Sequence, residues 1–272
     1  MKKSIETGLT AVLAAAMLAG CGSAASTSSS APATDAASST AAVEEAAAGS
    51  SAAASDGKVY RIATDTTFAP FEFEDDNGKM VGIDLDLLDA IAKDQGFQYK
   101  VDYVGFSAAV TALESGEADG VIAGMSITDE RKQKYDFSEA YYNSGVGMAV
   151  LKDSDIASYD DLKGKTVAAK IGTTNCDFAE SIADKYGFTV TQFEDSSTMY
   201  QDVLAGTSAA CFDDYPVLGY EIQRGVGFKL PLPMEEGADF GFATMKGTNP
   251  ELVKMFNAGL EDLKKDGTYD KL

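Results

Sequence analysis

The sequence is that of an α/β protein in two lobes. Three observations carry this reading. Strand-like and helix-like segments alternate from residue 58 to 124, and the alternation starts afresh at 166 and runs to 223. Two extended runs without helical periodicity, 144–152 and 239–247, fall between and after these blocks. A chain that leaves one lobe and returns to it needs two such crossings, and two crossings form a hinge.

In order, KVYRIAT (58–64) is a strand, and GIDLDLLDAIAKDQG (82–96) is an amphipathic helix stopped by Gly96. Its apolar stripe is expected at Leu85, Leu88, Ile91 and Ala92. FQYKVDYV (97–104) alternates as a strand does, SAAVTALESG (107–116) is a helix capped by Ser107, and ADGVIAG (118–124) is a short apolar strand. In the second block TVAAKIG (166–172), FTVTQF (188–193) and SAACFDD (208–214) are strands. NCDFAESIADKYG (175–187) and STMYQDVLAG (197–206) are helices, and PVLGYEIQ (216–223) begins one with proline in its first turn. The run from Pro250 to Asp266 is strongly periodic and needs a surface to cover.

Ahead of this folded part the chain has a different character. Lys2 and Lys3 precede an apolar run, Gly8 to Gly20, and Leu18-Ala19-Gly20-Cys21 has the form of a lipobox. Residues 1–20 are therefore expected to be a lipoprotein signal peptide, with Cys21 lipidated. Residues 21–57, almost all Ala, Ser, Thr and Gly, form a disordered tether in this reading. The protein is then expected outside the cytoplasm, lipid-anchored to the outer face of the cell membrane.

Composition excludes several chemistries. The 272 residues carry a net charge of −21, which disfavours nucleic acid as a partner. Histidine is absent, removing the commonest general base and zinc ligand. The three cysteines have no metal-site spacing, and Cys176 and Cys211 are expected as buried free thiols. No cofactor, no metal and no catalytic residue are expected.

Five segments, ATDTTFAPFEF (63–73), VGIDLDLLDAIA (81–92), GMSITDERKQKYDFSEAYY (124–142), DLKGKTVAAKIGTT (161–174) and DGTYDKL (266–272), occur in an order that resembles the extracellular amino-acid-binding proteins of ABC importers. The likeness is greatest to their polar amino-acid and glutamine-binding branch and spans nearly all of 58–272. It implies a periplasmic-binding-protein-like (class II) clamshell with two crossing hinge strands. Lobe 1 would comprise 58–148 and 241–272, and lobe 2 would comprise 149–240. It also implies a monomer that closes on a free amino acid and presents it to ABC permease subunits.

The resemblance assigns roles as well. Arg131, one of only three arginines, would clamp the ligand carboxylate, helped by Ser126 and the N–H of Thr174. On the residues alone, Arg131 reads as a solvated helix residue paired with Asp129 or Asp136. Asp214, with the Gly124 carbonyl and Ser126, would receive the ammonium. Its other reading is a helix cap, and Asp213 is the rival aspartate. Phe68 and Phe106 would flank the ligand's carbon chain. Asp65 and Lys170 would offer an acceptor and a donor to a side-chain amide, which favours glutamine. Histidine, glutamate, cystine or a basic amino acid remain alternatives, as does a dehydratase- or lyase-type enzyme on the same fold. Lys170 also reads as a surface lysine at a strand end.

Overall fold

The computed structural model describes residues 57–272. The expected signal peptide, Cys21 and most of the expected tether lie outside the described residues. No helix among the described residues is long and apolar enough to cross a membrane.

Two sheets organise the chain. The first runs Gln98–Tyr103, Val59–Thr64, Gly120–Val121, Ala243–Met245, Tyr135–Phe137. Its first three strands are parallel, and Ala243–Met245 lies antiparallel to both its neighbours. The second runs Thr189–Phe193, Thr166–Lys170, Ala210–Asp214, Gly145–Leu151, Phe228–Lys229, with Glu235–Glu236 also pairing to Gly145–Leu151. Here too three parallel strands meet one long antiparallel strand. A small antiparallel sheet, Thr67–Phe68, Glu72–Glu74 and Met80–Val81, joins the first strand to the first helix.

Among the described residues seven α-helices cover the sheets: α1 Ile83–Gln95, α2 Phe106–Ser115, α3 Arg131–Lys134, α4 Thr174–Tyr186, α5 Ser196–Leu204, α6 Tyr215–Gln223 and α7 Pro250–Asp266. Alternation along single strands sends neighbours to opposite faces, so each sheet has a core on both sides. Ile62 packs with α1 and α7 while Ala63 packs with α2, and Phe212 and Cys211 divide the second sheet's two cores in the same way. Gly259 lets α7 approach α1, because a Cβ there would stand 2.8 Å from Ile91 Cγ2. The Phe242 and Phe256 rings stack at 4.7 Å between α7 and the sheet.

Three sequence expectations need correction. The buried stripe of α1 is Asp84, Leu87, Leu88, Ile91 and Ala92, not one containing Leu85. Helical spacing puts residue 84 one turn before 87 and 88, so an aspartate takes an inward place. Ser107 does not cap α2: Phe106 is its first residue, Gly105 precedes it at φ 87°, and no side chain caps it. The first crossing comes earlier than expected. Gly145–Met148, expected with lobe 1, pair with Glu235, Glu236, Phe212, Asp213 and Asp214 in the second sheet.

The chain thus leaves the first sheet after Phe137 and returns after Glu236. The two crossing segments run side by side, with Tyr142 bridging Phe240. Glycines make this approach possible. A Cβ on Gly145 would meet Glu235 O at 2.4 Å, and one on Gly237 would meet Gly145 Cα at 2.3 Å.

Candidate functional site

The carboxyl ends of the parallel strands of both sheets point toward one cavity. Asp65 follows Val59–Thr64, Phe106 opens α2 after Gln98–Tyr103, and Gly124 and Ser126 follow Gly120–Val121. From the second sheet, Lys170 ends Thr166–Lys170, Asp214 ends Ala210–Asp214, and Thr174 opens α4. This is the usual place for ligands in open α/β sheets. The cavity is small and is lined by Asp65, Phe68, Phe106, Gly124, Ser126, Arg131, Lys170, Thr174 and Asp214. All nine residues singled out in the sequence are therefore brought together. Ala123 and Thr173 complete the lining.

Lys170 is buried, with its ammonium against the Asp65 carboxylate, and both side chains are 2% exposed. It is not a surface lysine. Ser196 Oγ lies 3.5 Å from the same ammonium, which also stands 5.7 Å from the Phe68 ring centroid. A buried pair of this kind is stable only while both partners are present.

Arg131 makes no ion pair with Asp129 or Asp136; those acids pair with Lys132 and Lys246. Its guanidinium donates to Ser126 O and to Gly172 O, each at 3.0 Å, one from either lobe. The plane lies 5.6 Å from the Phe106 ring centroid. Two of its five N–H groups are used on carbonyls, which leaves three for other acceptors. Burial draws its pKa down from the usual value. Ser126 Oγ and Thr174 Oγ1 meet at 3.1 Å across the lobes, and Thr67 Oγ1 accepts from Ser196 N at 3.2 Å.

Asp214 stands at the N-cap position of α6 but makes no capping bond. Its carboxylate instead accepts from Ser144 Oγ at 2.5 Å and from Asn175 Nδ2 at 2.7 Å. Burial, and then the neighbouring Asp213, push its pKa up to about 7. Asp213 faces away from the cavity and accepts from Tyr200 OH at 2.6 Å. The alternation of the strand separates the two aspartates. Ser144 and Asn175 were not singled out in the sequence; each is a small polar residue beside other polar residues at the edge of an element, a pattern too common to stand alone.

Gly124, at φ 52°, touches Phe68 so closely that a Cβ would stand 2.3 Å from its ring. Its N–H donates to Asp84 Oδ2 at 2.9 Å. Cys176 and Cys211 are free thiols and both are buried.

Comparison with known proteins agrees with this architecture. Residues 60–272 match the family model of bacterial extracellular solute-binding proteins, family 3. The arginine-binding extracellular protein ArtP of Bacillus subtilis is 32% identical over 217 residues, covering 78% of this chain and 83% of that protein. The crystal structure of substrate-binding domain 2 of Lactococcus lactis GlnP, in an open conformation, is 48% identical, covers 81% of this chain and 95% of its own, and superposes with a TM-score of 0.58. An ancestral arginine-binding protein bound to glutamine is 41% identical, covers 78% and 95%, and superposes at 0.72. The chain belongs to the bacterial extracellular solute-binding proteins of family 3.

Proposed function

We propose that the protein binds a free polar L-amino acid outside the cell, glutamine above others, and delivers it to an ABC-transporter permease by closing its lobes. The observation that carries this is the charge balance of the cavity. Arg131 and Lys170 are set against Asp65 and Asp214 around one small volume. A zwitterion with an uncharged polar side chain leaves that balance intact.

In this reading Arg131 takes the ligand carboxylate with its remaining N–H groups, as charge-assisted hydrogen bonds. Ser126 and the amide at the start of α4 add donors. Asp214 takes the ammonium, with the Gly124 carbonyl as a further acceptor. Phe68 and Phe106 cover the carbon chain. At the far end the Asp65–Lys170 pair presents an acceptor and a donor to a side-chain amide. A second reading, a basic amino acid, is favoured by the arginine-binding relative; Lys170 opposes it by repulsion. Lipidation at Cys21 would keep the protein beside its permease.

The reading is one of binding without turnover, with ligand contacts that join the lobes and so favour closure in proportion to the difference in affinity between forms. Calorimetric titration with the common L-amino acids, with a turnover assay alongside, tests it. Tight binding of glutamine with no product is expected. Binding of no amino acid, or conversion of one, would refute it.

A further inference from the structure

Behind the cavity wall lies a pair of acids that the ligand contacts do not use. Glu72 opens the strand Glu72–Glu74 and Asp84 lies on the inward stripe of α1; both are 0% exposed. Backbone bonds fix their approach. Ile83 N donates to Pro70 O at 3.0 Å and Asp84 N to Phe71 O at 2.9 Å. Gly82, at φ 137°, closes the turn, since a Cβ there would stand 2.1 Å from Phe71 O.

Asp84 is already committed on one side. Its Oδ2 accepts from Gly124 N at 2.9 Å and from Tyr141 OH at 2.7 Å. Its Oδ1 receives no protein donor, and neither oxygen of Glu72 does. The two carboxyls face one another. Two bare carboxylates in a dry core would repel and leave three oxygens unsatisfied. One proton between them supplies the missing donor. The other charged or titratable groups facing Glu72 are Asp65 after the first strand, Lys170 from the second lobe and Tyr141 on the crossing segment. Lys170 is taken by Asp65 and the Tyr141 hydroxyl by Asp84.

We propose that Glu72 is a positioning residue of the binding cavity: it shares one proton with Asp84, and this shared proton holds Gly124 in the cavity wall and Tyr141 in the crossing segment. The inference rests on the ligand-binding reading above for its functional half. Burial, and then the charge of Asp84, hold Glu72 well above the ordinary carboxylate range, while burial lifts Asp84 to about 6. Both directions fit one proton held between the two carboxyls. Loss of that proton in alkali sets a second charge behind Gly124 and loosens the wall, so ligand affinity falls there. Glu72→Gln retains a donor toward Asp84 and cannot titrate; Glu72→Ala leaves Asp84 Oδ1 bare.

Two measurements decide the matter. The first needs no ligand: infrared spectroscopy of the wild-type protein at neutral pH, with and without ¹³C-glutamate labelling. A protonated-carboxyl band that moves with the label and vanishes in Glu72→Gln is expected; its absence at neutral pH overturns the proposal, whether or not any variant folds. The second is calorimetric titration with L-glutamine across pH. Glu72→Ala should bind about tenfold more weakly, as an unsatisfied buried acceptor does. Glu72→Gln should recover most of that affinity and lose the alkaline fall. Equal affinities for the Ala and Gln variants, or an unchanged alkaline limb, would refute the positioning role. If the wild type binds no amino acid, the functional reading falls separately, and the infrared result still decides the shared proton.

Discussion

Burial and the adjacent Asp213 disfavour the charge of Asp214 and push its pKa up to about 7. An ammonium beside it favours the charged form and lowers that value. Binding near pH 6 is then accompanied by proton release, and affinity should climb as pH rises toward about 7 and level above it. Calorimetry in buffers of different ionisation enthalpy measures the released protons directly. No release would mean that Asp214 does not meet a cation. The residues around it show what a sequence can and cannot reveal. Arg131, Lys170 and Asp214 stand out because each is a charged residue at the end of an apolar strand or beside a hydroxyl cluster in a recognisable order. On composition alone each reads as a solvated charge or a cap, and only the resemblance sets them in a cleft. Asp84 was hidden by its neighbours: in GIDLDLLDAIA three leucines compete for the stripe, and the eye assigns it to Leu85.

The strands and helices follow the pattern of the sequence closely where periodicity is long. Helix α7 occupies the segment its period marks, Pro250 to Asp266, and α4 ends at Gly187 in the left-handed conformation. Short elements were not legible. The sheet formed by Thr67–Phe68, Glu72–Glu74 and Met80–Val81 has strands of two or three residues, too few for any alternation to register. The crossings depend on glycine rather than on a hydrophobic pattern. Gly145 and Gly237 bring the two segments into backbone contact, with no space for a methyl group. Gly145→Ala should therefore destabilise the protein by about 1–3 kcal/mol, as overpacking does. Denaturant unfolding measures this, and a loss near zero would show that the crossings yield without strain.

Across the molecule, buried acids govern the response to pH. Glu72, Asp84, Asp213 and Asp214 all have pKa values raised chiefly by burial. A group whose folded value is raised contributes stability that is complete below its unfolded value and is lost as pH rises through the folded one. For Asp84 and Asp214 that loss extends to about 6 and about 7. The net charge of −21 adds self-repulsion in the same direction. Acids held low by N–H and O–H donors at surface turns, Asp75, Asp161 and Asp266, lose their contribution only below the ordinary carboxylate range. The ligand-free protein should thus melt higher near pH 5 than near pH 8, by roughly 2–4 °C for each kcal/mol involved. Differential scanning calorimetry reads this, and a midpoint that rises toward pH 8 would contradict it.

The lobes, the cavity and its charges all converge on the guanidinium of Arg131, which already bonds carbonyls from both halves. Titration of L-glutamine into the wild-type protein and into Arg131→Ala, by calorimetry under the same conditions, tests its role most directly. One site per chain should be seen in the wild type, and the variant should lose about 2–5 kcal/mol of binding free energy while keeping its fold. Undiminished affinity in Arg131→Ala would contradict the account.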